Sequence, residues 1–265
     1  MAQTTYTCPE WQTTFEKAGY KGFDDWWNSE KNLVEDGNSR NANQDSWSHV
    51  SKMEIDDGKY LYLKRQQNHF PNNTLLKIRR ISTFEIEWEN YQKLKDAGIP
   101  TLNIVHFANR KENGNRQCLI VSEDLTGMTP IRDLIDIFSQ VGWPNRKQRL
   151  AILSPIVKVV RQMHDAGIIH NALYGRHIYL NIPINDGTPI IPDEIKVCLI
   201  DLERTKFPGP DSPKLITNDL EKMYRRISQW PARDCLWFLK QYLNLKRLTP
   251  EAKKIARKIA AARGS

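Results

Sequence analysis

The sequence predicts an α+β protein whose sheet-rich first half carries one prominent helix and whose second half is mainly helical. Alternating apolar and polar residues fill the stretch from Trp47 to Gln67, which is typical of paired strands. After residue 145, apolar residues recur at helical spacing in several segments. The chain has 265 residues, of which 40% are hydrophobic and 26% charged, so it can form one large domain or two joined lobes.

Residues 1–36 form an N-terminal extension that is rich in aromatic side chains. Two short helices are expected in it, one of them around FDDWWNSEKN, and we interpret the extension as a hydrophobic cap over the sheet that follows. Its aromatic residues are Trp11, Phe15, Tyr20, Phe23, Trp26 and Trp27. Residues 37–125 are then expected to form a sheet-rich N-terminal lobe, and residues 126–265 a helical C-terminal lobe.

The N-terminal lobe contains four strand patterns and one long helix pattern. WSHVSKMEI and YLYLKRQ are joined by Asp-Gly, which supplies the positive backbone dihedral angles of a tight turn. LNIVHFANR and NRQCLIVSE form a second predicted pair. Between the pairs, FEIEWENYQKLKDAG predicts a helix that ends at Gly98. Its apolar stripe consists of Phe84, Trp88, Tyr91 and Leu94.

The second half begins with a long amphipathic helix pattern, RKQRLAILSPIVKVVRQMHDAG, which Gly167 ends. A strand pair follows, HIYLNI and KVCLID, separated by a loop that is rich in proline and glycine. Three more helices are expected in NDLEKMYRRISQ, RDCLWFLKQYL and TPEAKKIARKIAAAR. The last is basic and amphipathic, so three roles are open for it: lying on an anionic membrane, contacting a phosphorylated sugar or packing on its own lobe.

The composition narrows the location and the partners of the protein. A net charge of +8 favours an anionic partner, such as a phosphate, a nucleic acid or an anionic membrane surface. No apolar run approaches the roughly 20 residues of a membrane-spanning helix, and the first residues lack the pattern of a secretory signal. The four cysteines are scattered and contain no CxxC pair, which fits reduced thiols in a cytoplasmic protein.

Lys64 in YLYLKRQ is a candidate phosphate-binding residue. Alternate side chains of a strand share one face, so Lys64 lies on the face opposite Leu61 and Leu63. A lysine among strand hydrophobic residues is ordinarily a solvated edge residue. It becomes a functional candidate because a glutamate-rich helix follows, and a strand lysine paired with a helix glutamate holds the ATP phosphates in kinases.

Three glutamates of that helix, Glu85, Glu87 and Glu89, compete for the pairing with Lys64. Glu87 lies nearest the apolar stripe of the helix, so we predict that it is the partner. The alternative for Glu87 is an exposed helix charge without a specific partner.

The most specific pattern in the chain is MHDAGIIHNALYGRHIYLN, residues 163–181. A methionine–histidine pair ends a long helix, a short GIIH strand follows, and the chain then enters a loop. Further on, the apolar strand in VCLIDLERT ends at Asp201. A carboxylate at the end of a buried strand is costly unless it is paired or bound to a metal ion. Asp201 therefore either caps a turn or binds a metal ion.

These stretches resemble the lipopolysaccharide kinase (Kdo/WaaP) superfamily, and within it the InaA-type branch. The stretches that carry the resemblance are WSHVSKMEI, YLYLKRQQNHF, IEWENYQKLKDAGIPT, GIIHNALYGRHIYLN and LIDLERTKFP. The resemblance implies a bilobal protein-kinase-like fold with ATP and Mg²⁺ as cofactors. It also implies phosphorylation of a sugar of the lipopolysaccharide core, or of a related envelope precursor, at the cytoplasmic face of the inner membrane.

The resemblance assigns roles residue by residue. Lys64 is expected to bind the phosphates, Glu87 to hold Lys64, and Asp201 to bind magnesium. His170 belongs to the catalytic loop. His177 stands where kinases carry a second magnesium ligand, but magnesium prefers oxygen ligands, so a phosphate-binding or structural role is equally open.

The resemblance also assigns the nucleotide-binding segments. Adenine is expected to contact backbone groups of Glu123 and Leu125. The loop that covers the phosphates aligns with its terminal valine at Val50, which places Ser46 and Trp47 at the loop tip. The aligned positions that would normally be glycine are Asn43, Asp45 and Ser48. Without glycine, the backbone amides approach phosphates less closely.

The catalytic loop departs from the usual kinase pattern at Ala172. Kinases carry there the aspartate that accepts the proton of the substrate hydroxyl, and loss of a general base costs about 10²–10⁴-fold in rate. Two functions are therefore weighed: an ATP-dependent kinase for an anionic sugar, and a pseudokinase that binds a nucleotide or a partner. Asp219 resembles a residue that braces the loop, or it is a helix N-cap. Nucleic acid is not an expected partner, because no recognition motif or stacking aromatics accompany the basic residues.

Overall fold

The computed structural model describes residues 4–29, 32–35, 45–56, 58–225 and 229–261. The chain divides into two compact units. The first contains Met1–Gln92 and Leu102–Asp124, and the second contains Lys93–Thr101 and Leu125–Ser265. The predicted N-terminal extension falls within the first unit. The predicted α+β class is confirmed.

The first unit is built on a six-stranded antiparallel sheet with the strand order β1-β5-β6-β4-β3-β2. Its strands are β1 (Thr5–Thr7), β2 (Asn32–Glu35), β3 (Trp47–Asp56), β4 (Lys59–Gln67), β5 (Ile104–Glu112) and β6 (Asn115–Glu123). Both predicted hairpins, β3–β4 and β5–β6, are confirmed. The connection of β5 to β6 turns at Asn113 and Gly114, both with positive φ, as a tight antiparallel hairpin requires. Strands β1 and β2 were not predicted.

Two N-terminal helices, α1 (Pro9–Lys17) and α2 (Phe23–Trp27), pack on the apolar side chains of this sheet. Trp26 is 1% exposed, stacks on Tyr20 with 4.0 Å between ring centres, and meets the edge of Phe15. Leu61 and Leu63 of β4 belong to the same buried cluster. The predicted hydrophobic cap is therefore confirmed. Because Leu61 and Leu63 are committed to the cap, the alternate residues of β4 face the other side of the sheet.

Two further helices precede β5. The predicted long helix is α4 (Thr83–Asp96), in which Phe84, Tyr91 and Leu94 are buried and which is followed by Gly98 at φ 67°. A shorter helix, α3 (Thr74–Ile78), was not predicted. It begins at Asn73, whose side chain accepts hydrogen bonds from the backbone N–H groups of its first turn. Five residues are too few to show a helical period in the sequence.

The second unit is mainly helical, as predicted. Its helices are α5 (Ile131–Val141), α6 (Arg146–Asp165), α7 (Pro213–Arg225), α8 (Ala232–Tyr242) and α9 (Pro250–Ala261). Its strands are β7 (Thr129–Pro130), β8 (Ile178–Leu180), β9 (Ile184–Asn185), β10 (Thr188–Pro189) and β11 (Val197–Leu199). The predicted strand pair is β8 with β11, and β7 adds to it. Helix α5 and the β9–β10 hairpin were not predicted. None of the described helices has the length and apolar character that crossing a membrane requires.

Helix α6 leads directly to the loop that was predicted to be catalytic. It starts with a reciprocal capping box between Asn145 and Gln148 and ends before Gly167, which has φ 73°. A Cβ atom at Gly167 would lie 2.7 Å from the backbone of Gly209. Glycine is therefore required here both by the backbone angle and by the close approach of a second chain segment.

The C-terminal helix α9 uses its apolar face for packing within the second unit. Ala252 and Ile259 are buried, and Lys258 forms a 2.9 Å ion pair with Glu221 of α7. Packing on its own lobe is confirmed for this helix. Its buried residues Ala252 and Ile259 are therefore not available to enter a membrane, whereas its charged residues and also Ala260 and Ala261 are exposed.

Candidate active site

Lys64 and Glu87 form an ion pair in the first unit. Nζ of Lys64 lies 2.8 Å from Oε1 of Glu87, and their side chains are 22% and 5% exposed. Strand β4 holds Lys64 between β3 and β6, with Val50 and Ile120 opposite it in register. Helix α4 supplies Glu87. The predicted partners are thus brought together, with the lysine as the more accessible member.

Neither of the other two candidate glutamates of α4, Glu85 and Glu89, pairs with Lys64 in the described structure. Glu89 is exposed. Glu85 is buried and forms a charge-assisted pair with Arg116 of β6, and it accepts a 2.9 Å hydrogen bond from Asn109 of β5. No sequence pattern predicts this second pair, because Arg116 lies 31 residues from Glu85, on strand β6. The pairing of Lys64 with Glu87 therefore depends on the rotation of α4 over the sheet.

The prediction that Ser46 and Trp47 form the tip of the phosphate-covering loop is wrong. Trp47 is the first residue of β3 and pairs in register with Gln67, and its ring centre lies 5.1 Å from that of Trp27. Ser46 is buried, and its hydroxyl donates to the carbonyl oxygen of Asn68. The strand begins earlier than the sequence suggested because Trp47 and Ser48 both find partners in β4.

The connection of β2 to β3 spans residues 36–46, which include Gly37. When the phosphate-covering loop is aligned so that it ends at Val50, Gly37 does not fall on any of its glycine positions. Asn43, one of the aligned positions, lies outside the described residues. Val50 remains a neighbour of Lys64, because the two residues are directly paired across β3 and β4 and therefore share a face of the sheet.

Glu123 and Leu125 both have some of their polar groups engaged within the chain. The backbone N–H of Glu123 donates to the carbonyl of Asn103, and its carboxylate accepts from the indole N–H of Trp11 at 2.8 Å. In the second unit, the carbonyl of Leu125 accepts from the backbone N–H of Met128. Of the backbone groups of these two residues, the carbonyl of Glu123 and the N–H of Leu125 therefore remain as the predicted contacts of adenine.

His170 is fully buried in the second unit, so the expectation that it is catalytic is corrected to a positioning role. Its Nε2 atom lies 3.1 Å from the carbonyl oxygen of Ile200, the residue before Asp201. Nδ1 is buried, and none of the described residues contacts it with a hydrogen bond. Burial lowers the pKa of His170 below the ordinary value of 6.5, so the ring is neutral at pH 7. A neutral ring donating from Nε2 ties the loop to the strand that carries Asp201.

His177 holds the carboxylate of Asp201 from one side. Nε2 of His177 lies 3.2 Å from Oδ2 of Asp201, and Nδ1 lies 2.8 Å from the carbonyl oxygen of Ala172. Arg176 Nε also lies 2.9 Å from Nε2, and because one ring nitrogen cannot accept from Arg176 and donate to Asp201 at once, only one of these two hydrogen bonds forms at a time. Both ring nitrogens are therefore engaged, which leaves no lone pair for magnesium while these bonds are kept. His177 acts as a link between Asp201 and the loop.

Asp201 has an unusual backbone and a half-open carboxylate. Its φ is 63°, in the left-handed region that residues other than glycine rarely adopt, and such strain persists where the surroundings impose it. The side chain is 35% exposed. Oδ2 faces His177, whereas Oδ1 has no hydrogen-bond partner among the residues that the structure describes. Asp201 therefore offers one oxygen to a cation.

Two polar residues of α7 lie near the loop: Lys222 contacts it, and Asp219 contacts His164 of α6. Nζ of Lys222 donates to the backbone oxygen of Asn171 at 2.6 Å and to its Oδ1 at 2.7 Å. Burial lowers the pKa of Lys222. Asp219 is fully buried in the middle of α7, and its Oδ2 lies 3.5 Å from Nε2 of His164. The alternative that Asp219 is a helix N-cap is wrong. Lys222 was missed, although it lies one helical turn after Asp219 on the same face.

Ala172 is 1% exposed, so its methyl group is enclosed by the loop. Its methyl group can neither accept nor donate a proton. The position nevertheless contributes its carbonyl oxygen to His177. The loop is thus fully braced, by His177 and Lys222, although it lacks the usual carboxylate.

The donor set fits a magnesium ion that is held jointly by protein and nucleotide. Magnesium usually keeps several waters and binds one or two carboxylates together with substrate phosphates. Asp201 supplies one carboxylate oxygen of this kind. Within the described ranges no group of three or more histidine, cysteine, aspartate or glutamate side chains could hold a metal by itself. A resident metal centre built from protein ligands alone is therefore not a feature of these residues.

A strand lysine paired with a helix glutamate in one unit, and a braced loop followed by a strand-end aspartate in the other, define the class of kinase-like proteins. The chain belongs to the Lipopolysaccharide kinase (Kdo/WaaP) family, which it matches over residues 24–242. A solved structure of WaaP in complex with acyl carrier protein has the same fold, with a TM-score of 0.68 and 19% identity. That similarity covers 98% of this chain and 94% of the other.

Similar proteins include two WaaP kinases and protein InaA. The lipopolysaccharide core heptose(I) kinase WaaP of Escherichia coli K12 is 27% identical over 162 residues, or 60% of this chain and 59% of that protein. WaaP of Pseudomonas aeruginosa is 29% identical over 163 residues, or 59% and 58%. Protein InaA of Escherichia coli K12 is 25% identical over 217 residues, or 82% and 93%. The match thus spans about three-fifths of the WaaP chains and nearly all of InaA.

Proposed function

We propose that this protein is an ATP-dependent kinase that phosphorylates a sugar of the lipopolysaccharide core or a related anionic envelope precursor. The observation that carries the proposal is the ion pair of Lys64 with Glu87, because it orients an accessible ammonium group on the sheet. Membership of the Kdo/WaaP family supports phosphate transfer to a sugar as the reaction class. The acceptor proposed for this chain follows from its WaaP relatives, which are lipopolysaccharide core heptose(I) kinases.

In this proposal each residue has a stated role. Lys64 donates to the nucleotide phosphates, and Glu87 holds Lys64 in place. Asp201 binds magnesium through its open oxygen, and His177 fixes the orientation of that carboxylate. Magnesium would supply charge neutralisation at the phosphates. Adenine would contact backbone groups of Glu123 and Leu125. These are positioning and electrostatic contributions, which supply most of the acceleration in phosphoryl transfer.

The transfer step does not strictly require a base at position 172. The acceptor hydroxyl oxygen forms a bond to the γ-phosphorus while the bond to the bridging oxygen breaks and ADP leaves. In a loose transition state the attacking hydroxyl gains little positive charge, so its proton can pass late to solvent or to a phosphate oxygen. The absence of a carboxylate then lowers the rate and does not forbid the reaction.

The second candidate function is a pseudokinase that binds a nucleotide without transferring phosphate. The observation that favours it is Ala172, whose buried methyl group replaces the usual proton acceptor. The two candidates share the nucleotide-binding residues and differ only in turnover.

Both candidates are tested by measuring radiolabelled phosphate transfer from ATP to core-sugar acceptors, with nucleotide binding followed in parallel by thermal shift. Under the kinase proposal we expect transfer that requires magnesium and is lost in Asp201→Asn. Binding without transfer to any acceptor would support the pseudokinase. Absence of both binding and transfer would reject both candidates.

Ala172→Asp provides a sharper comparison, with Ala172→Asn as the matched control of similar shape. If the remaining machinery is intact, the aspartate variant should raise the transfer rate towards the 10²–10⁴-fold that a general base contributes. The asparagine variant should not raise it. Equal rates in the two variants would show that the position has no catalytic role in this chain.

The proposed place of action is the cytoplasmic face of the inner membrane, with an anionic membrane surface as a partner. The net charge of +8 supports attraction to such a surface. Vesicle binding by the full chain tests this part separately from phosphate transfer.

A further inference from the structure

A basic cavity lies in the first unit, apart from the residues assigned to nucleotide chemistry. Its volume is about 150 Å³, and it is lined by Arg79, Arg80, Lys111 and Arg116. We call it the basic pocket. Cavities that bury drug-sized ligands measure about 300–1,000 Å³. The basic pocket is therefore too small for a nucleotide and is of a size for a single phosphate group.

The charge of the basic pocket is only partly compensated. Arg116 is paired with the buried carboxylate of Glu85, which offsets its charge. Arg80 is oriented by neutral groups, since its Nη2 donates to the carbonyl of Gly114 at 2.8 Å and to Oδ1 of Asn68 at 3.2 Å. The backbone of Arg80 is in the left-handed region, with φ 53°.

Arg79 and Lys111 are exposed, and neither forms an ion pair with any carboxylate in the described part of the chain. Together with Arg80 they make three cations that form no ion pair with the residues the structure describes. Unpaired cations that converge on a small cavity favour binding of an anion, and guanidinium groups match the geometry of phosphate oxygens.

Helix α3 presents two large aliphatic side chains directly beside the basic pocket. Leu75 is 71% exposed and Ile78 is 73% exposed. These are the highest exposures of large hydrophobic side chains in the part of the chain that the structure describes. Arg79 follows Ile78, and its backbone N–H donates to the carbonyl of Leu75, so all three lie within one turn. Lys77 adds a further exposed cation on the same short helix.

Single exposed aliphatic residues are common and carry no message. Here two exposed aliphatic residues lie on one helical turn next to three cations without ion pairs. This combination suits a bilayer surface, which offers both an apolar acyl region and anionic lipid phosphates. Apolar side chains enter the boundary between headgroups and acyl chains, and cations attract the lipid phosphates. A soluble phosphorylated sugar would use the cations but would gain nothing from Leu75 and Ile78.

We propose that α3 and the basic pocket form a membrane-docking surface, with the phosphate of an anionic phospholipid in the pocket and Leu75 and Ile78 in the acyl boundary. This assigns membrane contact to the first unit. The basic helix α9 is a poorer candidate because its apolar residues Ala252 and Ile259 are buried. The docking surface can be tested whether or not the protein transfers phosphate.

The test measures co-sedimentation of the full chain with vesicles of phosphatidylcholine alone or of phosphatidylcholine mixed with phosphatidylglycerol. We expect binding only to the mixed vesicles, weakened by salt because surface charges are screened. The double variant Arg79→Gln with Lys111→Gln should bind about 25-fold more weakly, at about fivefold for each lost charge. The double variant Leu75→Ser with Ile78→Ser should lose more than about tenfold.

Matched controls separate this surface from general attraction to a basic protein. The double variant Lys253→Gln with Lys254→Gln removes the same charge from α9, and Leu236→Ser removes an exposed aliphatic residue from α8. Both should bind mixed vesicles nearly as the unmodified protein does. If the α9 variant loses as much affinity as the pocket variant, binding reflects net charge and the proposal is overturned.

A second result would overturn the proposal in a different way. If the Leu75 and Ile78 variant binds vesicles normally while inorganic phosphate displaces the protein, the basic pocket is a site for soluble phosphate. Circular dichroism melting of each variant checks folding, and Lys111→Glu offers a single exposed substitution that tests the pocket if a double variant melts early. A reversed charge at Lys111 should weaken vesicle binding more than the loss of that charge.

Discussion

At the residue scale, Lys64 and Glu87 combine burial with a charge that a ligand can reach. Glu87 is almost fully enclosed, whereas more than a fifth of Lys64 is exposed. Removing one partner of a buried pair costs about 3–5 kcal/mol, whereas an exposed pair contributes about 0–1 kcal/mol. The partly exposed pair of Lys64 and Glu87 lies between these limits. Its partners therefore affect stability as well as the proposed phosphate binding.

Lys64→Met is expected to weaken nucleotide binding by about 10–100-fold, since hydrogen bonds to charged groups contribute about 1.5–3 kcal/mol. Glu87→Gln should weaken it less, because the ammonium group remains but is held only by a neutral amide. Titration calorimetry with magnesium and a nucleotide measures both effects. Lys59→Met, an exposed lysine of the same strand, is the matched control and should bind normally. Equal binding by Lys64→Met and Lys59→Met would contradict the assigned role of Lys64.

His106 makes stability depend on pH. It is buried on β5, with Nδ1 2.8 Å from Oγ1 of Thr7 and its ring stacked on Trp26, and burial lowers its pKa from 6.5 to about 4. Below pH 6.5 the unfolded chain binds a proton that the folded chain does not. The free energy of unfolding should therefore fall as pH drops from about 6.5 to about 4, by about 3 kcal/mol from this group, and change little above that range.

Urea unfolding of the unmodified protein and of His106→Phe across that pH range measures the effect. The phenylalanine variant should lose part of the pH dependence. Some should remain, because His170 also has a lowered pKa and acts in the same direction. An unchanged slope in His106→Phe would show that His106 binds protons equally in the folded and unfolded chains, so that folding does not lower its pKa.

At the scale of elements, the sequence encodes those that repeat a pattern for long enough to be recognised. Helices α4 and α6 and the hairpins β3–β4 and β5–β6 each span nine residues or more per element, so their apolar periods are visible. By contrast, β1, β2 and α3 have three to five residues, and β1 and β2 exist because a longer strand offers them hydrogen bonds. Short elements of this kind are determined by their neighbours.

The connection between α6 and the catalytic loop requires glycine at position 167, and this requirement can be tested. Gly167→Ala combines a positive φ with a Cβ atom 2.7 Å from the backbone of Gly209, so it should destabilise the protein by more than about 2 kcal/mol. Gly187→Ala has nearly the same φ, at 75°, but its Cβ would meet open space. The control should cost only about 1–2 kcal/mol. Thermal unfolding compares them, and equal losses would exclude the close approach as the cause.

At the scale of the whole molecule, the assigned residues are divided between two compact units. The first contributes Lys64, Glu87 and the carbonyl of Glu123, and the second contributes Asp201 with its braced loop. Neither set alone contains everything that phosphoryl transfer requires. The proposed function therefore belongs to the complete chain and not to either unit.

A magnesium–nucleotide complex that binds the folded protein should raise its unfolding temperature. At a concentration about 100 times Kd, the stabilisation is about 2.7 kcal/mol, which corresponds to a rise of about 5–10 °C for a protein of this size. Differential scanning fluorimetry measures the shift. Asp201→Asn should reduce the part of the shift that depends on magnesium. A chain that melts at the same temperature with and without the nucleotide would rule out the kinase and the nucleotide-binding pseudokinase.

Local patterns were enough to predict the α+β class, the two hairpins, the helix bearing Glu87 and the order of Lys64, Glu87 and Asp201 along the chain. They were enough because periodicity reports which face of an element is buried, and because the loop around His170 resembles its family in consecutive residues. The change at Ala172 was equally readable, since it concerns the chemistry of one side chain.

Tertiary structure alone decided which side chains meet. Only the structure shows that Glu85 pairs with Arg116 and that His170 is buried. It also shows that Trp47 lies in β3 instead of at a loop tip, and that Lys222 contacts Asn171. These outcomes depend on strand register and on the rotation of helices over their neighbours. Both are fixed by contacts between residues tens of positions apart, such as the 51 residues that separate Lys222 from Asn171. No local pattern specifies a distance of that kind.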